Sequence, residues 1–165
     1  MKILSLDQST VATGWAYFSS NSLVQHGVIH INSKNKALPK WIMMMNDICN
    51  LIDAYCPNIV IIEDTIMQKS TNTLKELTRL QGALIWYCFL KKIEVTTMYP
   101  SHWRKVIDLP VKRGMKRVEL KSIAKEFVET IYGQQCITDD ESDAICIGMA
   151  YIKEYLQENK EINYE

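Results

Sequence analysis

Residues 59 to 62, Ile-Val-Ile-Ile, are four β-branched side chains in unbroken succession, followed at once by Glu63-Asp64. Side chains of this type favour a pleated strand, and a strand with no polar positions must be covered on both faces. A sheet covered on both faces carries helices above and below it, so the chain is constrained to a layered α/β architecture. The other strands follow from this one. Lys2 to Leu6 is a second short apolar run, and it also ends in a carboxylate, Asp7. Asp7-Gln8-Ser9-Thr10 is turn-forming, and Thr13 to Phe18 completes a hairpin. Leu23 to Ile31 reads as a third strand whose tail alternates Val28 and His30 against Ile29 and Ile31, the pattern of a half-buried edge. Ile93 to Met98, closed by Pro100, is the fifth.

Helices fill the intervals. From Leu38 to Tyr55 apolar residues recur every three or four positions, and Pro57 stops the segment. Ser33 to Asn35 is a loop before it, and the run Met43 to Met45 reads as core filler. Met67 to Asn72 is a polar connection, after which Thr71 or Thr73 can cap a helix carrying Leu74, Leu77, Leu80, Leu84 and Tyr87, with Lys75 and Arg79 on another side. The stretch around Pro110 and Gly114 is loop-like, and Lys116 to Ile131 is helical. Gly133 breaks it, and a last helix runs from about Asp139 to Glu158. The chain is thus one domain over residues 1–158 with a polar tail, 159–165.

Composition excludes several classes of function. Lys plus Arg and Asp plus Glu both number 19, so the molecule is no uniformly basic coat for nucleic acid. The five cysteines lack CxxC spacing, which argues against a disulfide framework or a zinc site and for a reducing compartment. With no secretory leader and no long apolar run, a soluble cytoplasmic protein without membrane association is expected. Charge is nevertheless uneven. Eight of the 19 basic residues lie between Arg104 and Lys125, among them Lys105, Lys112, Arg113, Lys116, Arg117 and Lys121, against only Asp108 and Glu119. Such a run is either a solvated helix face or a surface for a polyanion. His26 and His30 are expected to be solvated on their strand.

The acidic residues point to the chemistry. Asp7 and Glu63 each end a buried strand, while Asp140 and Asp143 lie three apart at the head of the last helix and project from nearly one face. Taken singly, Asp7 could cap its turn and Asp139 its helix; Asp139 and Glu141 are expected to point away from Asp140 and Asp143. Taken together, the four converge if the two strands are neighbours and the helix crosses them. Converging carboxylates repel unless cations intervene, and an all-oxygen set suits Mg²⁺, with Mn²⁺ as substitute, far better than zinc. One or two such ions can activate a water and stabilise the leaving oxygen in phosphodiester cleavage.

Three blocks carry a family resemblance. Ile3-Leu4-Ser5-Leu6-Asp7-Gln8-Ser9 with Thr13-Gly14, then Val60-Ile61-Ile62-Glu63, then Asp140-Glu141-Ser142-Asp143-Ala144 resemble, in order and approximate spacing, the signature blocks of RuvC-type Holliday junction resolvases. These belong to the ribonuclease H-like nucleases. The resemblance implies a mixed five-stranded sheet flanked by helices, its first three strands antiparallel. It also implies metal-dependent nicking of paired strands at four-way DNA junctions by a homodimer, leaving 5′-phosphates, without an organic cofactor. Asp7, Glu63, Asp140 and Asp143 take the four metal-ligand positions. Lys116 matches the basic residue that assists at the scissile phosphate, Lys121 competes for that role, and Lys105 falls near a second family lysine. DNA contacts are expected from Lys105, Lys112, Arg113, Arg117, Lys121, Lys75 and Arg79, and subunit pairing along the Leu74 to Leu84 helix, whose apolar positions could equally all be core.

The chain departs from the bacterial pattern at three places. Gln8-Ser9 replaces a Pro-Gly after the first Asp, Ile66 stands where an aromatic follows the Glu, and Val106 to Met115 is atypical. These changes bear on sequence preference and junction selectivity and fit a divergent phage or viral branch, which would act in its host's cytoplasm. Three other readings share some features. A related nuclease for forks or flaps would need the same acids. A sugar-kinase-like phosphotransferase would need a second domain and a further Gly-rich loop. A non-cleaving branched-DNA-binding module would not need all four carboxylates.

Overall fold

The structure, a computed structural model, describes residues 1–32, 38–66, 70–133 and 138–162. The β-branched run lies in β4 (Ile59–Glu63), flanked by β1 (Lys2–Asp7) on one side and β5 (Glu94–Met98) on the other, in parallel with both. β2 (Ala12–Ser19) and β3 (Ser22–His30) extend the sheet antiparallel from β1, giving the order β3-β2-β1-β4-β5. The mixed five-stranded sheet, antiparallel in its first three strands, is as expected.

Strand alternation divides the core into two layers. Leu4, Leu6, Val60 and Ile62 pack against Met44, Ile48 and Ile52 of α1 (Lys40–Tyr55) and Leu80, Leu84 and Cys88 of α2 (Thr71–Lys91). Ile3, Ile59 and Ile61 pack on the other side, against Trp103 of α3 (Pro100–Val106), Ala124 and Val128 of α4 (Arg117–Tyr132), and Ala144, Ile145 and Ile147 of α5 (Asp139–Ile162). The period of two therefore assigns every residue at the strand ends to a layer. Asp7 follows Ile3 and Ser5, and Glu63 follows Ile59 and Ile61, so both belong to the α5 side. Gln8 and Asp64 belong to the α2 side.

α5 lies directly on the β1–β2 hairpin. The Ser5 hydroxyl donates to the Ala144 carbonyl at 2.7 Å, and both contact points require glycine. A Cβ on Gly14 would sit 1.9 Å from the Asp140 carbonyl oxygen, and one on Gly148 would sit 2.2 Å from the Phe18 ring. Gly14 is the register partner of Asp7, so this approach brings the head of α5 to the end of β1.

Several local expectations are corrected. Pro100 does not merely close β5: it occupies the first turn of α3, a helix absent from the sequence reading, where its missing N–H is no loss. Ser70, not Thr71 or Thr73, caps α2, its hydroxyl accepting from the Thr73 N–H at 3.3 Å. α1 begins at Lys40 rather than Leu38, and α5 continues past Glu158 to Ile162. Leu80 and Leu84 are fully buried against the sheet, so the inward face of α2 is core. Its exposed apolar side chains are instead Ile85, Trp86, Phe89 and Leu90. The Ser33–Asn35 loop, the start of the Met67–Asn72 connection and Cys136 lie outside the described residues. Among the described residues no helix is long and apolar enough to cross a membrane.

Candidate active site

Leu6 and Ile62 are the last paired positions of the parallel strands β1 and β4, and Asp7 and Glu63 stand one residue beyond them. Neither is used up by its turn. In the β1–β2 turn Ser9 accepts from the Val11 and Ala12 N–H groups at 3.2 and 3.3 Å, and the Thr13 hydroxyl accepts from the Ser9 N–H at 3.1 Å. These bonds do the capping that Asp7 might have done.

The same separation of labour holds at α5. Thr138 and Glu141 form a reciprocal capping box, with the Thr138 N–H donating to Glu141 Oε2 at 2.8 Å and the Glu141 N–H to Thr138 Oγ1 at 3.2 Å. Glu141 is buried and also meets His26 Nδ1 of β3 at 3.2 Å. Glu141 points away from Asp140 and Asp143, as expected, and in doing so anchors the helix head. One expectation changes: His26 contacts Glu141 rather than standing solvated on its strand. With the cap supplied by Thr138, Asp140 and Asp143 are free to face Asp7.

Asp7, Glu63 and Asp143 line one cleft of about 760 Å³ with Arg104, Arg117 and Lys121. Asp140 borders the adjoining hollow beside Asp7 and Glu63. Burial, then the charges of Glu63, Asp143 and Asp140, raise the Asp7 carboxyl well above the usual carboxylate range. Burial also raises Glu63, opposed by a hydrogen bond from Trp103, the charge of Arg104 and a hydrogen bond from Asp7. Burial and then Glu63 push Asp143 up to about 7, and its buried Oδ1 has no hydrogen-bond partner among the described residues.

This is a fit for a hard divalent cation: an all-carboxylate donor set, mutually repelling, with an unsatisfied buried oxygen aimed into it. Among the described residues no three acidic, His or Cys side chains are already drawn into a closed cage. Carboxylates without a cation between them stand apart for the same electrostatic reason.

A family model described as crossover junction endodeoxyribonuclease RuvC matches residues 3–151. The chain belongs to the RuvC family. Among named relatives, RuvC of Caldicellulosiruptor saccharolyticus is 23% identical over 159 residues, covering 92% of each chain. That of Orientia tsutsugamushi strain Boryong is 28% identical over 149 residues, 88% of this chain and 91% of its own. Among solved structures, Thermus thermophilus RuvC in complex with Holliday junction substrate superposes with a TM-score of 0.77 at 12% identity, covering 95% of this chain and 96% of that one. The yeast mitochondrial Holliday junction resolvase Ydc2 gives 0.66 at 13% identity, covering 98% and 82%. At these identities the likeness is one of fold.

On this RuvC scaffold the basic residues sort by distance from the acids. Lys121 is 16% exposed and donates to Asp140 Oδ1 at 2.9 Å, with Asp139 Oδ2 at 3.8 Å. Burial works against its charge, but the hydrogen bond and charge of Asp140, aided by Asp143 and Asp7, raise its pKa overall. Lys116 is exposed at the N-cap of α4, where its N–H donates to Glu119 Oε2 at 2.6 Å, and it does not line the cleft. Lys112, Arg113, Lys75 and Arg79 are exposed, and Lys105 borders a neighbouring recess.

Two residues were missed because α3 was missed. Trp103 is fully buried and its indole donates to Glu63 Oε1 at 2.9 Å. Arg104 stacks over the Trp103 ring at 4.2 Å, and its buried Nε has no partner among the described residues. Pro100, as a helix-start signal, could have located both.

Proposed function

We propose that this chain is a divalent-metal-dependent endonuclease that resolves four-way DNA junctions by paired phosphodiester nicks, as a homodimer. The observation that carries the proposal is the meeting of Asp7 and Glu63 on adjacent parallel strands with Asp143, whose buried Oδ1 is unpartnered among the described residues. Membership of a junction-endonuclease family supports the choice of substrate.

Asp7, Glu63, Asp140 and Asp143 would hold Mg²⁺, with Mn²⁺ as substitute. A bound ion supplies a low-pKa water as nucleophile and charge stabilisation at the leaving oxygen. The rest falls to the protein's own groups. Trp103 fixes one oxygen of Glu63 and so its orientation. Lys121, rather than the outward Lys116, is the ammonium at the acids and is placed to face the scissile phosphate. Arg104 and Arg117 at the cleft wall receive the flanking phosphates. Lys105, Lys112, Arg113, Lys75 and Arg79 extend the DNA-contacting surface, which gives binding a steep salt dependence.

A four-way junction offers two equivalent strands, and a two-fold dimer offers two sites. Trp86 and Phe89, stacked at 5.4 Å and 59% and 67% exposed, form with Ile85 and Leu90 the apolar surface proposed for pairing. Labelled four-way junctions, forks and linear duplexes incubated with Mg²⁺, Mn²⁺ or chelator test the reading. Symmetric metal-dependent nicks restricted to the four-way junction are expected. Equal cutting of forks would make it a general branch nuclease, and binding without nicks would reduce it to a binding module.

A further inference from the structure

Beside the acidic cleft lies a second recess, of about 700 Å³, with mainly apolar walls. Ile66, Pro100, Arg104 and Leu120 border both, so the two are continuous. Leu109 and Val111 complete the apolar wall, and Tyr99 stands at the edge, 58% exposed. A soluble protein gains nothing in stability by leaving a tyrosine ring and an apolar hollow open to water.

The recess is built on fixed backbone. Tyr99 is the N-cap of α3, its carbonyl accepting from the N–H groups of His102 and Trp103 at 2.9 and 3.2 Å. The same helix therefore fixes the Tyr99 backbone, the Trp103 contact to Glu63, and Arg104. The far wall is held as well: Asp108 adopts a left-handed conformation (φ 57°) and is gripped by Lys153 of α5. Arg104 and Lys105 are the cations of the recess, offset by Asp108.

We propose that this recess receives an unpaired nucleobase from the strand being cut, stacked on Tyr99, while Arg104 and Lys105 hold the phosphates beside it. This rests on the reading of the acidic cleft as a DNA-cleaving site. The chemistry matches a base. It has a flat apolar face suited to an aromatic ring and an apolar wall, it is joined to phosphates on either side, and it is unpaired at lower cost at a branch point than within a continuous duplex. A base held beside the acids fixes the position of its own phosphodiester, so Tyr99 would act in choosing which bond is cut.

The experiment compares wild type, Tyr99→Ala and Tyr99→Phe on four-way junctions that are intact or carry one abasic site, scanned through the nucleotides flanking the cut. On intact junctions Tyr99→Ala should lower kcat/KM by about tenfold to a hundredfold, and Tyr99→Phe should retain activity. At one abasic position wild type should show the same loss, and Tyr99→Ala should add nothing to it, because the ring and the base are then one interaction. Activity of Tyr99→Ala within twofold of wild type, or an equal Tyr99 effect at every abasic position, would overturn the proposal. Tyr99 is exposed, so its truncation should leave the melting temperature unchanged, and a circular-dichroism melt checks this. 2-Aminopurine at the identified position separates the two ideas. A Tyr99-dependent fluorescence change without cutting would sustain the recess and sink the nuclease reading. Cutting without that change would do the reverse.

Discussion

Asp7 and Gln8 are neighbours in the chain, as are Glu63 and Asp64, yet the alternation of the strands sends one of each pair to opposite sides of the sheet. On the α2 side the groups hydrogen-bond to one another, with Gln8 Oε1 alone left over among the atoms of this network. Gln81 donates to Asp64 Oδ1 at 2.9 Å and accepts from the Thr65 N–H at 3.2 Å, while Gln8 reaches the Gln81 carbonyl oxygen at 3.3 Å. On the α5 side Asp7, Glu63 and Asp143 face one another with burial raising all three, and one Asp143 oxygen has no partner among the described residues. Similar side chains at the same strand ends thus form a hydrogen-bonded network on one face and a cluster of mutually repelling carboxylates on the other. The repelling cluster is where an external cation lowers the energy of the fold.

The largest effect expected from this asymmetry is that of Asp7→Asn. Nicking should fall by on the order of 10³-fold, while junction binding persists and the melting temperature holds or rises, because a repelling buried charge has been removed. A junction-cleaving Asp7→Asn variant would erase the distinction between the faces. The same repulsion fixes a pH dependence. Asp143 has a folded-state pKa of about 7 against an unfolded value near 3.8, so the native state binds the extra proton between them. The stability this contributes is full below the unfolded value and is lost as pH rises through about 4 to 7, by on the order of 1–4 kcal/mol. Melts in chelator at pH 5 and pH 7 should show the drop, and Mg²⁺ should reverse it. A flat profile in chelator would mean that the carboxylates do not face one another.

Gly14→Ala should come next. A methyl group there overlaps the Asp140 carbonyl, so the helix head must retreat, and displacing a reacting group by about 1 Å can cost about 10²-fold in rate. Cleavage and melting temperature should fall together, and loss of neither would mean that the approach is not close. Lys121→Met should slow cleavage about tenfold to a hundredfold with little loss of binding, whereas Lys116→Met should stay within about threefold. The reverse ranking would restore Lys116 to the site. The smallest effect on rate is expected from Gln81→Leu on the hydrogen-bonded face. It should lower stability by about 1–3 kcal/mol and change cleavage little, as urea unfolding beside a junction assay would report.

The sheet and the four acids were legible because each had a strong local signal. Four β-branched residues marked β4, and both strand-end carboxylates followed apolar runs. The pairing of β1 with β4 was legible only through the resemblance, since nothing local says which strands are neighbours. α3 was hidden because Pro100 reads equally well as the end of a strand and as the first turn of a helix. The Thr138-Asp139-Asp140-Glu141 capping box was written plainly in the sequence, but attention to Asp140 made Glu141 look incidental. Lys116 and Lys121 could not be ranked from sequence, because which face of α4 meets α5 depends on Ala124 and Val128 packing into the shared core.

Gly14 and Gly148 let backbone rest on backbone or ring with no layer of side chains between, and such contacts have no slack to take up. A seat of this kind admits neither sliding nor tilting of α5 against the hairpin. The backbone at the head of α5, which carries Asp140 and Asp143, is therefore held against the end of β1 before any substrate arrives. Bringing a phosphodiester to them must then be accommodated by the nucleic acid, which has to bend and open to reach side chains mounted on a backbone that does not move. Branched DNA, whose strands at the crossover are already unstacked and free to turn, needs the least further deformation to do so. A rigid seat for one helix in this way becomes a filter on the shape of the DNA.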